Sequence, residues 1–356
     1  MQESRKRFTA LATGRLALSL SPARRTRTNP MAAADSAVYT TLRTIGEGPG
    51  PRGGHTATLV EKNLVIMGGT RHKGNGKYEY CPLNPIVLDV ETLNWFQPRL
   101  ALGIGPQPRA YHSASRVGTS IFIFGGQVEN AKALGDLHMF DLRRMLWEEA
   151  ETTGKAPKPR YWHTSSQVGG SLFVIGGFSN GKSLSDVHVL DVETLLWSKL
   201  EVKGCPLPPM SNHSCTPVGN RVYIFGGMNV KQDKQGHSFI EYNSDTLVLD
   251  LESMSAWKQR GRGNRPKGRA YHEAVLVGGY IVLIGGWNGQ AMDVGALPTL
   301  DLEGLGSWYS VAVPGKSAHP MYGHTASLIG SKIVLCGGWD GFSALSTVHV
   351  IDTTLL

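Results

Sequence analysis

Apolar positions along this chain come in short bursts, each closed by a turn signal. "HTATLV" is followed after a tight turn by "NLVIMGG", and "HTSSQV" by "SLFVIGG". The bursts alternate and are rich in Val, Ile, Leu and Phe, which reads as strands. A third apolar run ends in aspartate, as in "DVHVLD" and "TLVLD", and a tryptophan opens a fourth. Glycine and proline then lead to the next "PR" and histidine.

This unit recurs six times. Histidines stand at His55, His112, His163, His213, His272 and His324, and a Gly-Gly pair begins thirteen residues after each. The copies lie 50 to 59 residues apart. A spacing held this constant marks an internal repeat, to be recognised before any motif is read. The aspartates are Asp89, Asp141, Asp191, Asp250, Asp301 and Asp352; six or seven residues on come Trp95, Trp147, Trp197, Trp257 and Trp308. Six four-stranded units without a helical segment between them predict an all-β, six-bladed β-propeller.

The repeat resembles the kelch motif, with Gly-Gly closing the second strand and a spaced tryptophan on the fourth. Its "PR-x-x-H" lead-in is similar to that of host cell factor and the kelch-domain-containing proteins. The resemblance covers residues 38–356. Met210 and Met321 depart from it by replacing the arginine, and "PTLD" at 298–301 puts a proline where the third strand should begin. An irregular or bulged strand is expected there, since proline cannot donate to a ladder.

The sixth repeat stops at "VHVIDTTLL", before any tryptophan. Counting back from Arg52 places Tyr39 at the tryptophan position and Gly46 at the offset of Gly154. The segment 38–46 is therefore expected to supply the missing outer strand and close the ring, removing an exposed edge.

Composition changes the picture little. The formal net charge is +8, but residues 1–37 carry seven Lys/Arg against Glu3 and Asp35, which leaves +3 on the repeats. The leader is Arg- and Ser-rich, which fits a transit peptide, a disordered tail, or a segment upstream of a working start at Met31. A cytoplasmic location is expected, or a mitochondrial or plastid one if residues 1–30 act as a transit peptide. Neither nucleic-acid nor membrane binding is expected of the repeats, and a monomer is. The four cysteines show no CxxC spacing, so neither a disulfide framework nor a zinc site is indicated.

Six internal copies provide their own control: what every blade repeats serves the blade, and what breaks the pattern can serve a partner. By this test the histidines are structural, and the Gly-Gly pairs mark close backbone approach rather than a phosphate loop, since no helix follows them. The residues just before each histidine differ between copies, and so do the loops after Gly-Gly. The latter are short at "FSNGKS", "WNGQAM" and "WDGFSA" and long at 70–85 and 228–245.

Both sets are expected on one face, the face on which kelch domains usually hold ligands. The candidate binding residues are Arg109, Tyr111, Arg160, Trp162, Arg269, Tyr271, Trp287, Tyr322 and Trp339. Aromatics with arginine make interaction hot spots, and arginine forks onto carboxylates, so an acidic peptide or a C-terminal carboxylate would fit. The competing reading is that the arginines brace neighbouring blades.

The resemblance implies a non-catalytic module for a protein or peptide partner, acting as adaptor or substrate receptor, with no cofactor or metal. The alternative is an enzyme, since kelch-like propellers include copper oxidases, a sialic-acid epimerase and iron-dependent specifier proteins. The specifier spacing of Glu, Asp and His is incomplete here: Glu241 and Asp245 are followed by Leu249.

Overall fold

The computed structural model describes residues 38–74, 77–101, 105–292, 294–303, 306–313 and 320–354; the leader 1–37 lies outside them. The repeats form the six blades of a β-propeller, each built on four antiparallel strands. In the third blade these are Thr164–Val168, Ser171–Ile175, Val187–Asp191 and Leu196–Leu200, ordered from the axis outward. The aspartate ending each third strand turns the chain: Asp191 Oδ1 accepts the backbone N–H groups of Glu193 and Thr194. Asp89, Asp141 and Asp250 repeat this turn.

The apolar core is divided among the blade interfaces, with one cluster between each neighbouring pair. Phe122, Phe124 and Leu137 of the second blade meet Leu172, Val174, Leu190 and Trp197 of the third. Every sheet is thus covered on both faces. Leu64, Val65, Ile66 and Met67 are buried in succession, so the second strand is a continuous apolar run rather than the alternation expected for a half-exposed sheet.

The Gly-Gly pair follows from this packing. The N–H of Gly177 donates to the carbonyl of Met210 in the next blade at 2.9 Å, and a Cβ on Gly176 would stand 2.7 Å from that same oxygen. Both glycines have positive φ, +57° and +102°, where a side chain is strained.

The N-terminal strand closes the ring. Val38–Thr41 pairs antiparallel with Val348–Asp352, setting Tyr39 opposite Ile351. Trp197 stands opposite Leu190 in the same register, so Tyr39 does occupy the tryptophan position; it is buried and stacks on His349. Beyond it, Ile45 bridges Asn94 in parallel, as Thr153–Gly154 adds to Leu196–Leu200 and Lys203–Gly204 to Ser255–Lys258. The linker leaving one blade thereby covers the outer edge of the next.

Two local expectations meet a different outcome. The strand Ala296–Asp301 runs straight through Pro298, which pairs with Ser310 on the outer side; only the inner ladder is cut short, ending at Thr299. Trp257 is not a core tryptophan. Ala256 takes the buried position opposite Leu249, and Trp257, one residue on, is only half-buried with the Arg221 guanidinium over its ring.

Candidate functional site: the aromatic mouth of the axial channel

The residue before each histidine forms a closed collar about the propeller axis. Backbone N–H groups donate in sequence from Tyr111 to Gly54, Trp162 to Tyr111, Asn212 to Trp162, Tyr271 to Asn212, Gly323 to Tyr271, and Gly54 to Gly323, at 2.8–3.1 Å. Each residue of this ring is left-handed, with φ between +54° and +64°. Gly54, Gly323 and Asn212 accept that conformation readily; Tyr111, Trp162 and Tyr271 do not, because a bulky side chain there is a steric outlier. The preceding residue of each pair bridges the strand after Gly-Gly, as Tyr161 does to Phe178, Ala270 to Trp287 and Tyr322 to Trp339. Both sets of loops therefore reach one face, as the repeat pattern implied.

On that face the aromatics touch in a chain. Ring centroids lie 5.7 Å apart for Tyr111–Trp162, 5.8 Å for Trp162–Tyr271, 6.1 Å for Tyr271–Tyr322 and 5.0 Å for Trp287–Tyr322. Trp339 is more buried than a presented loop residue should be, because His72 and Tyr78 pack edge-on against it. Both come from the 70–85 loop, which is largely the hairpin Thr70–Gly74 and Lys77–Tyr80 rather than irregular chain. A concavity of about 310 Å³ opens among Tyr111, Tyr271, Trp287, Tyr322, Trp339 and the 94%-exposed Phe342. His72, Tyr78 and Phe342 were absent from the sequence-based set, although "WDGF" carried the last of them.

The arginines of that set are corrected. Arg109 and Arg160 have no exposed surface, and Arg269 and Arg52 are buried too. Arg160 donates from Nε to the Lys158 carbonyl, from one terminal nitrogen to the Gly176 carbonyl, and from both terminal nitrogens to Asp186 at 2.7 and 2.9 Å. Arg109 does the same with Gln107, Gly125 and Asp136. Arg269 donates to the Lys267 and Gly285 carbonyls, and Arg52 to those of Gly68 and Pro49. The guanidinium forks brace the blades from inside and do not front the face. Burial alone would raise Asp136 and Asp186, but hydrogen bonds from His138 and His188 and the paired guanidiniums hold both below the usual carboxylate range.

Beneath the collar the six histidines link blade to blade. Nε2 of His55 meets the Thr325 hydroxyl, His112 that of Thr56, His163 that of Ser113, His213 that of Thr164 and His272 that of Ser214, at 2.8–3.2 Å. Burial keeps the rings neutral, pushing His55, His112, His213 and His324 down to about 3 and His163 and His272 well below the imidazole range. The hydroxyl always comes from the residue following the neighbour's histidine. At the sixth step that residue is Glu273, and His324, 2% exposed, has no hydrogen-bond partner on either ring nitrogen. Burial pushes the Glu273 carboxyl up to about 8. Glu273, the histidines and Tyr111, Trp162 and Tyr271 line one axial cavity of about 280 Å³. The internal control that singled out the residue before each histidine would have found Glu273 one residue after it: Thr, Ser, Thr, Ser, Glu, Thr.

The residues weighed for metal chemistry lie apart. Glu241 pairs with Lys231 and Asp245 with Lys258, while Leu249 is sealed in the core. Among the described residues no three His, Cys, Asp or Glu side chains gather as a metal set, and no helix is long and apolar enough to cross a membrane.

A six-bladed propeller with this Gly-Gly and collar geometry defines the class, and comparison with known proteins agrees. The profile of the KLHDC2/KLHL20/DRC7 Kelch-repeats domain matches residues 31–227 and 212–356. The chain belongs to the kelch-repeat family. It is 36% identical over 141 residues to acyl-CoA-binding domain-containing protein 4 of Arabidopsis thaliana, covering 39% of this chain and 20% of that protein. It is 33% identical over 139 residues to Rab9 effector protein with kelch motifs of Bos taurus, covering 37% and 36%. Host cell factor 1 of Rattus norvegicus is 27% identical over 308 residues, covering 83% of this chain but 12% of that protein. The alignments thus span between about an eighth and a third of these relatives' lengths.

Proposed function

We propose that this propeller is a non-catalytic interaction module, an adaptor or substrate receptor, that seats a protein or peptide partner on the aromatic face around the channel mouth. One observation carries the reading. At a ring position that two glycines and an asparagine fill without strain, Tyr111, Trp162 and Tyr271 hold left-handed backbone at φ +57° to +58°. Strain kept at such a site costs on the order of 1–3 kcal/mol per residue and is characteristic of ligand clamps. Contiguous aromatics, half-buried around a concavity, are the composition of binding hot spots. The name of the bovine relative, a Rab9 effector, supports the same class of role by likeness. Because the arginine forks are engaged inside the blades, the reading no longer calls for an acidic partner.

The ring supplies its own test. Trp162→Asn puts in this blade the residue that the next blade already carries at Asn212, φ +54°. The variant is expected to fold with stability within about 1 kcal/mol of the parent, the relieved strain offsetting lost ring packing. Partners recovered by quantitative cross-linking with the full chain should fall at least tenfold with Trp162→Asn combined with Tyr111→Gly. An unchanged set of partners would place binding elsewhere.

A further inference from the structure

Resting on that reading of the face, we propose that the axial channel is the seat of a protonated primary amine, the side chain of a partner's lysine, held by the Glu273 carboxylate beneath the collar of Tyr111, Trp162 and Tyr271. Three features converge on it. The cavity is continuous from collar to carboxyl, since all four residues line the same 280 Å³ space. Glu273 breaks a pattern that Thr56, Ser113, Thr164, Ser214 and Thr325 otherwise keep, and each of these hydroxyls is taken by a neighbouring histidine. His324, which this break deprives of its hydroxyl, stands buried and unpartnered in the same wall.

The geometry selects the ligand's chemistry. Glu273 opens the inner strand Glu273–Val277 of its blade, two residues after Tyr271 of the collar. A lysine's four-carbon stem can lie against the collar rings while its ammonium meets the carboxyl in the same cavity. The collar rings offer apolar wall to the stem and π-faces to the charge. Charge complementarity points the same way: Glu273 is the only formally charged side chain among the described residues lining the cavity once the histidines are neutral. The other titratable groups there are Tyr111 and Tyr271, both raised by burial, and Cys215, which burial pushes up to about 12. None of them carries charge near neutral pH. Binding of the amine favours the ionised carboxylate, so it releases a proton from Glu273 and strengthens as pH rises.

The test titrates the full chain with Nα-acetyl-lysine N-methylamide and with its norleucine and glutamate counterparts, followed by calorimetry and Trp fluorescence. The lysine probe is expected to bind at least tenfold more tightly than the others at pH 8 and to weaken toward pH 6.5. Proton release should appear as a heat that depends on the buffer's ionisation enthalpy. Glu273→Thr, which installs the residue three other blades use, and Glu273→Gln should each weaken the lysine probe at least tenfold and leave the norleucine probe unchanged. Equal affinity for lysine and norleucine, unaltered lysine binding in both variants, or no lysine binding to the parent overturns the proposal. If probes bind without charge preference and are lost in Trp162→Asn alone, the aromatic face stands and the amine seat falls.

Discussion

Glu273 shows how a single residue can be read against its internal copies. Replacing it with threonine offers His324 Nε2 the hydroxyl that five other histidines already meet. One buried hydrogen bond contributes about 1 kcal/mol net, so Glu273→Thr is expected to melt about 2 °C above the parent at neutral pH. The sign with pH is also set. The folded carboxyl is raised to about 8, so its contribution to stability is complete below the unfolded value near 4.5 and lost as pH rises through 8. The gain from Glu273→Gln should therefore be smaller at pH 6 than at pH 8 and above. Thermal melts across that range decide it; a gain independent of pH would mean the carboxyl is solvated and ordinary.

The arginines carry a second residue-scale prediction. Arg160→Met removes one of the two side-chain partners of Asp186, leaving His188, and, with the carboxylate 21% exposed, should destabilise by about 2–3 kcal/mol. The sixth blade combines Met321 with Thr347 at the matching positions, without an ion pair. Adding Asp186→Thr should accordingly recover most of the loss, which chemical denaturation of the two singles and the double would show as coupling. Failure to recover would mean that the guanidinium's carbonyl contacts, not the ion pair, hold the blade.

At the scale of elements, the Val38–Thr41 strand is the closure. Its removal uncovers the Val348–Asp352 edge and strips Tyr39 from the last interface cluster. Deleting residues 38–41 is expected to yield a chain that self-associates and unfolds less cooperatively, read by light scattering and denaturant titration. A deletion variant that stays monomeric with a parental midpoint would show that the ring does not depend on the latch. Much at this scale was legible in the sequence: the six inner hairpins from the histidine-to-glycine spacing, and the closure from Tyr39 and Gly46 falling in register with Trp147 and Gly154. Trp257 was misplaced because a count of six or seven residues cannot tell which of Ala256 and Trp257 points inward; pairing with Leu249 does. Pro298 was judged by its missing N–H, but which side of the strand that N–H faced was not in the sequence.

For the whole molecule, six neutral buried histidines impose a shared pH limit. Each has a folded value far below the unfolded 6.5, so its stabilisation is present above 6.5 and lost as pH falls. Together they give a slope approaching about 8 kcal/mol per pH unit, six times the 1.36 kcal/mol of a single site. Against a stability of about 5–15 kcal/mol, the propeller is expected to unfold cooperatively within about two units below pH 6.5. Circular dichroism against pH checks this, and native signal persisting at pH 3 would mean that the six histidines do not limit stability in acid.

The sequence by itself determined the repeat, and with it blade number, strand order and closure, because a sheet buried on both faces writes its apolar runs and glycines identically each time. It also showed where the copies differ. It did not determine which differing residues face a partner. Arg160 and Trp162 stand two residues apart, yet one forks inward onto Asp186 and the other rings the channel. In extended chain residues two apart share a face, so that separation depends on left-handed backbone at the collar and on carbonyls supplied by distant parts of the blade. Those are properties of three-dimensional packing, and only the tertiary structure decided them.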